Sequence, residues 1–322
     1  MGKLTNKFLP DVQLNKEVWN PKSIQKVGVR GVKIHLPIKM KDGSVQDTIA
    51  VVSSYASQEP TSSLNMSRCA ETIYQVLKAN STGDGFNDMK EFCRVLKEKH
   101  NSTDVYCKAR FELLFDSKTP MSDRFTTEPV KCTLETKYIN GEYRNYLTLD
   151  IIGFSLCPCA KELASLWTNT TEEEHKIIDS IEDETLKWKI KNSGYASHSQ
   201  KSRVTATIEL KEGERLWIED VIEMANKSFS TPTTMMAKRC DEAYVVQTAY
   251  LGGYFDDDKK FNKVEYAGPK FVEDIIRYMA KFLDDEMDKR LKDYVIVVEN
   301  YESLHSQDET AVAVLNAGRE LN

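Results

Sequence analysis

Two thiols flank a proline in Leu156-Cys157-Pro158-Cys159-Ala160-Lys161, directly after a strand-like run. The proline stiffens the backbone, so the two sulfurs are held close together for a reason that packing does not supply. Among five histidines, His198 and His305 lie in polar, turn-like segments that abut predicted strand ends, where sites are commonly built. With the thiols they make a mixed sulfur, nitrogen and oxygen donor set. Two or three such ligands plus a water are the pattern of a catalytic zinc or ferrous centre. Spacing alone does not establish a metal, because Cys-x-Cys is less specific than paired Cys-x-x-Cys motifs. The alternative is two ordinary thiols and two surface histidines. The other histidines have plainer readings. His35 lies on the apolar alternation of a strand and reads as core. His100 ends a helix, where a cation suits the dipole. His175 sits in a charged insert and reads as solvated.

The remaining cysteines, Cys69, Cys93, Cys107, Cys132 and Cys240, read as packing residues. An odd total of seven, in a long chain whose start lacks the apolar core of a secretory signal, implies a reducing, cytoplasmic setting. No run approaches the roughly 18 apolar residues of a membrane span. With 44 Lys and Arg against 50 Asp and Glu, the net charge of −6 argues against a nucleic-acid coat. It leaves room for one anionic ligand in a local basic pocket.

The elements that must position these residues fall into two similar halves. Residues 27–39 alternate as a strand, and Asp42-Gly43 turns into a second at about 46–54. Apolar stripes through Met66, Cys69, Ile73, Val76 and Leu77, then Met89, Phe92, Cys93 and Leu96, predict two helices. Val105 to Phe115 alternates cleanly, about 128–139 follows, and Asn140-Gly141 signals a type I′ hairpin. The order is ββααββ. The second half repeats it: strands at about 143–154 and 204–210, helices at 215–229 and from Pro269 to Leu291, strands at 294–298 and 311–317. The 233–248 segment has no clear pattern. A charged insert, about 168–195, suggests one amphipathic helix, and a polar one, about 251–267, reads as a loop. This is an α+β chain: an N-terminal extension (1–26), a first unit (27–141) and a second (142–322). Each unit is expected to form a four-stranded antiparallel sheet with two helices on one face. Open edges of such sheets are removed by joining subunits into a barrel, so a homo-oligomer is expected, with sites between sheets and between chains.

VGVRGVKIHLPI, NMSR, SLCPCAKEL, the His-x-Gln-Lys-Ser run, KRCDEAYV, AGPKFVED and ENYESLH occur in that order. Together they resemble the GTP cyclohydrolase IB family, a relative of the archaeal iron-dependent GTP cyclohydrolases, over about residues 9 to 316. The resemblance implies the tunnelling fold, with two tandem ββααββ units per chain and an oligomeric barrel, a tetramer. It implies hydrolysis of GTP to formate and 7,8-dihydroneopterin triphosphate (EC 3.5.4.16), the entry to folate-type pterins. It also implies a divalent metal, Zn, Mn or Fe, and neither nucleic-acid nor membrane partners.

Matched motif by motif, the resemblance makes Cys157 the metal-binding thiolate and Cys159 a catalytic thiol. His198 becomes a proton-transfer residue, Glu242 a carboxylate ligand, Glu302 a catalytic acid and His305 a metal ligand or base. Glu273 is matched to the guanine N–H edge, where a carboxylate accepts two parallel hydrogen bonds, or to a role supporting the residues that hold the substrate. Arg68, Lys201 and Arg203 are matched to the triphosphate, against a plain reading as solvated charges. The chain departs from the family in several places. Asn65 stands where His is usual, Lys201 replaces a bidentate Arg, and Gln247 stands where Glu is common. Cys159 and His198 are 39 positions apart; bacterial members place that His only about ten residues after the CPC motif. Both inserts read as surface elaborations, at an oligomer rim or over the site mouth. Alternatives are an archaeal-type enzyme that gives a cyclic phosphate, an NADPH-dependent nitrile reductase, and a non-catalytic purine or pterin binder. A thiol-redox protein is disfavoured because the CPC segment reads as lacking a helix start.

Overall fold

The computed structural model describes residues 22–60, 63–193, 197–234, 237–287, 289–307 and 311–317. Most of the expected N-terminal extension and the end of the first insert lie outside them. The chain divides into two compact units whose boundaries cut through long strands.

In the first unit, β1 (Ile24–Lys39) and β2 (Val45–Gln58) form an antiparallel hairpin, and β2 pairs antiparallel with β3 (Val105–Lys118). The alternation of β3 buries Val105, Cys107, Ala109, Phe111 and Leu113. Helices α1 (Met66–Thr72, continued in π turns over Ile73–Ala79) and α2 (Gly85–His100) pack against β1 and β2. Their buried faces hold Cys69, Ile73 and Leu77, then Met89, Phe92, Cys93 and Leu96, as the 3.6-residue spacing predicts. Asp84 caps α2 by accepting from the N–H of Asn87, and Asn101 ends it in the left-handed region.

His35 is not a core residue. Ile34, Leu36 and Ile38 take the inward positions of β1, so His35 faces solvent and meets Asp47 at 3.0 Å. Asn140 and Gly141 both have positive φ, as a type I′ turn requires, between β4 (Phe125–Ile139) and β5 (Glu142–Leu156).

That hairpin overturns the expectation of two separate four-stranded sheets. The strands bond in one path, β1-β2-β3-β4-β5-β6-β10-β11, with β6 at Ser199–Leu210, β10 at Leu291–Glu302 and β11 at Ala311–Asn316. Every described pairing is antiparallel. A two-residue strand, β7 (Thr231–Pro232), adds to β5.

The second unit carries the remaining helices. The first insert forms two helices rather than one, α4 (Glu172–Asp179) and α5 (Glu184–Lys191), each starting at its own cap, Thr171 and Asp183. They follow a short α3 (Pro158–Leu163). Helix α6 spans Ile218–Ser228, and the patternless segment is α7 (Arg239–Leu251). The expected loop holds a small hairpin, β8 (Gly253–Phe255) and β9 (Phe261–Lys263). Helix α8 (Val272–Met287) packs Ile275, Ile276, Met279 and Leu283 towards β10, β11 and α6. It begins after Pro269 rather than at it; Lys270 N–H is bonded to Leu156 C=O and Phe271 N–H to the Asp274 carboxylate. No helix among the described residues is long and apolar enough to cross a membrane.

Candidate functional site

The end of β5, the start of β6 and the end of β10 are neighbours in the sheet, and buried polar residues link the three strands. Ser202 donates to Asn300 Oδ1 at 2.6 Å, so its other contact, with Ser155 at 2.6 Å, must be one it accepts. All three residues are buried. This chain of hydrogen bonds crosses β5, β6 and β10 just before each strand delivers its candidate residues. Gly153 is required by a close approach: a Cβ there would lie 2.0 Å from the Phe229 ring.

Beyond β5, Cys157 caps α3, its sulfur accepting from the N–H of Ala160 at 3.4 Å, with Pro158 in the favoured first position. The expectation that CPC lacks a helix start is therefore wrong: cysteine–proline is itself the start. Cys159 is exposed on α3. Cys157 N–H donates to His198 C=O at 3.3 Å, and Ser197 Oγ donates to Cys157 C=O at 2.8 Å. Two segments 40 positions apart are thus strapped together. His198 Nδ1 is buried with no hydrogen-bond partner among the described residues. At the end of β10, His305 Nε2 lies 3.4 Å from the Glu302 carboxylate, and Ser303 Oγ reaches the Ser199 carbonyl at 3.5 Å. Backbone and hydroxyl contacts therefore tie the Cys157 segment to the His198 segment, and the turn that carries Glu302 and His305 to the start of β6.

The other expected residues are placed differently. Glu242 is exposed in the first turn of α7 and Glu273 in the first turn of α8. Lys201 is exposed on β6. Arg203 is engaged by Glu299 at 3.3 Å and lies over the Tyr301 ring. Arg68 belongs to the first unit and donates to the Lys99 carbonyl at 3.3 Å. Asn65, at the usual His position, accepts from the Ser67 hydroxyl. Cys240 is exposed, so four of the five expected packing cysteines are buried and this one is not.

Sequence reasoning missed two anchors beside these residues. Asp241, adjacent to Glu242, is fully buried. Burial opposes its charge, but the Ser122 hydroxyl and the N–H groups of Lys238, Ser122 and Met121 outweigh it and hold the carboxyl well below its usual range. Lys270 is 4% exposed and donates to the carbonyls of Lys227, Ser228 and Phe229 at 3.0, 3.0 and 2.6 Å. Its ammonium thereby caps the end of α6. A lysine inside AGPKFVED carries no pattern that distinguishes it from a surface charge.

In donor type, Cys157 and His198 suit a divalent ion such as zinc or iron, and the unpartnered Nδ1 is an atom that a bound group would satisfy. Among the described residues, no three of His, Cys, Asp and Glu in this chain are gathered into a metal-holding group. Cys157, Glu242 and His305 are therefore not brought together as one ligand set within the chain. Two adjoining clefts of about 330 and 360 Å³ share Phe115, Ile222, Asn226, Thr231, Pro232 and Tyr244 in their walls, and none of the ten expected site residues lines either.

The fold has known counterparts. The chain superposes on the uricase of Arthrobacter globiformis with a TM-score of 0.51, at 9% identity, covering 96% of this chain and 98% of that one. A thermostable uricase variant gives the same TM-score at 8% identity, covering 93% and 94%. The class is thus a mixed α and β fold on an antiparallel sheet, shared with uricase. The profile of the family described as type I GTP cyclohydrolase folE2 matches residues 9–258 and 254–311, and the chain belongs to that family. The expected cyclohydrolase membership is shown, under the folE2 description rather than the IB one. Similar proteins include GTP cyclohydrolase FolE2 of Dictyoglomus turgidum, 26% identical, covering 94% of this chain and 96% of that protein. FolE2 of Caldicellulosiruptor saccharolyticus is 27% identical, covering 94% and 96%. GTP cyclohydrolase MptA of Methanosphaera stadtmanae is 24% identical, covering 98% of each.

Proposed function

We propose that this protein is a GTP cyclohydrolase of pterin biosynthesis: a cytoplasmic, divalent-metal-dependent hydrolase that converts GTP to formate and 7,8-dihydroneopterin triphosphate. The observation that carries the reading is the strapping of Cys157 to His198, beside Glu302 and His305, in a chain of the folE2 family. The reaction adds water to C8 of guanine, opens the imidazole ring, releases formate, rearranges the ribose carbons and closes the pterin ring. Cys157, Glu242 and His305 would hold the metal. When bound, a divalent ion supplies Lewis acidity, making water a stronger acid and stabilising developing negative charge.

The chain's own residues do the rest. His198 takes and returns the proton at its unpartnered ring nitrogen. Glu302 orients His305 across their 3.4 Å contact. Cys159, exposed on the helix that Cys157 caps, is the second thiol of the reaction. Glu273 accepts the guanine N–H edge, and Arg68, Lys201 and Arg203 serve the triphosphate. Since one chain does not gather the ligand set, we propose a homo-oligomeric tunnelling-fold barrel, a tetramer, in which sites are completed between chains.

The test is to incubate pure protein anaerobically with GTP and Mn²⁺, Zn²⁺ or Fe²⁺. Formate and a pterin that fluoresces after oxidation are expected. Neither product with any of these metals would sink the proposal. The similarity to MptA favours one second reading, a product carrying a cyclic phosphate, and product mass separates the two.

A further inference from the structure

The two inserts, distant in sequence, meet in space. The first leaves from α3, which carries Cys159, and returns at Ser197 and His198. Its neck is closed by Leu166 N–H donating to Ser193 C=O at 2.9 Å. Inside it, Trp167 stacks on His175 at 4.0 Å, His175 Nε2 lies 2.7 Å from the Trp167 carbonyl, and Lys191 Nζ lies over the Trp167 ring at 4.2 Å. Lys191 is also paired with Asp179 at 2.8 Å. Residues 166–193 of the excursion thus hold together by contacts of their own.

Trp188 of α5 then reaches the second insert. Its ring lies 4.8 Å from Phe261 and 6.2 Å from Phe255, while Phe255 and Phe261 are 5.4 Å apart across the β8–β9 hairpin. Lys189 lies over Phe255 at 5.1 Å. The hairpin is fixed to α7, since Gln247 Oε1 accepts from Phe255 N–H at 2.9 Å. Lys161 of α3 meets the Tyr250 ring of α7 at 4.9 Å. Two independent links therefore run from the Cys159 helix to the Glu242 helix, one direct and one through the aromatic cluster.

We propose that the two inserts form one clasp, locked by Trp188 packed against the Phe255 and Phe261 pair, that positions α3 against α7 and so sets the geometry of Cys157, Cys159, His198 and Glu242. The clasp rests on the cyclohydrolase reading only for its kinetic consequence. It replaces the expectation of two separate surface elaborations. Trp188 is a positioning residue, remote from the reacting atoms, and small misplacements of such atoms are costly to rate.

The experiment compares wild type, Trp188→Ala, Trp188→Phe and the milder Phe261→Leu by amide hydrogen exchange and by steady-state kinetics of GTP turnover with Mn²⁺. In Trp188→Ala, exchange should quicken in α3 and α7 as well as in the inserts, with α6 and α8 unchanged. The turnover number kcat should fall by about tenfold or more with KM nearly constant. Trp188→Phe should restore both, and Phe261→Leu should give an intermediate effect and serve if Trp188→Ala does not fold. Faster exchange confined to residues 172–191 and 253–263, or unaltered kcat despite looser α3 and α7, would overturn the clasp. If wild type produces no formate at all, the cyclohydrolase reading fails, while the exchange result still decides whether α3 and α7 are braced.

Discussion

Replacing Lys270 with methionine keeps the apolar stem and removes the ammonium that closes α6. Three carbonyls, at 3.0, 3.0 and 2.6 Å, then lose their charged donor. Taken separately, each such bond is worth about 1.5–3 kcal/mol. They share one ammonium and do not add. Against the loss stands the cost of burying that ammonium, several kcal/mol, which the variant no longer bears. The net expectation is a destabilisation of about 2–3 kcal/mol near neutral pH, read from urea unfolding.

The sign of the pH dependence is a sharper check. Burial pushes the Lys270 ammonium down to about 8, from an ordinary 10.5. Between those values the unfolded chain holds the proton and the native chain does not, so this group adds stability as pH rises. Methionine has no such contribution. The stability gap between the two proteins should therefore widen from about pH 8 to about pH 10.5, all other groups being common to both. A variant as stable as wild type would refute the capping role, and a gap that narrows as pH rises would show that the three carbonyl bonds outweigh burial.

Gly153→Ala drives a methyl group into the Phe229 ring, with contacts of 2.0–2.4 Å before relaxation. It should cost about 1–3 kcal/mol or more, seen as a lower thermal midpoint. In the first unit, Arg144 grips Glu209, itself 4% exposed, through two bonds of 2.8 and 2.6 Å. Arg144→Ala should cost about 3–5 kcal/mol in denaturant unfolding by leaving that carboxylate short of its partner. Arg144→Lys should recover only part of this, since an ammonium does not reproduce the fork. Cys157→Ala should abolish bound metal, whereas Cys159→Ala should retain metal and lose turnover; equal metal loss in both would end that division of roles.

Local pattern made much of the chain legible. Alternation marked β3 and the 3.6-residue stripes marked α2, because each has one buried and one wetted face. Positive-φ chemistry at Asn140-Gly141 marked a hairpin that only those residues make easily. The same turn, followed through, joins β4 to β5, and taking the halves as separate sheets overlooked it. His35 went astray for a physical reason: one step along a strand exchanges inside for outside, and Ile34, Leu36 and Ile38 claim the inside more strongly. Residues 233–248 had no readable stripe because α7 buries small and polar residues, Asp241, Thr248 and Ala249, rather than an apolar face. The 251–267 segment read as a loop because its hairpin is only three residues a side and one of its ring contacts, Trp188, is contributed from elsewhere in the chain.

For the candidate site, the sequence alone determined the donor types and family membership, since motif order and side-chain chemistry are one-dimensional properties. It marked Cys157, His198, Glu302 and His305 without saying which would meet. Only the tertiary structure decided that the end of β5, the start of β6 and the end of β10 lie side by side, that Cys157 and His198 are strapped together across an insert, and that Arg203 is held by Glu299. It also decided that Asp241 and Lys270 are buried anchors rather than surface charges. Burial and pairing depend on what the rest of the chain brings to each residue, and no local pattern encodes that.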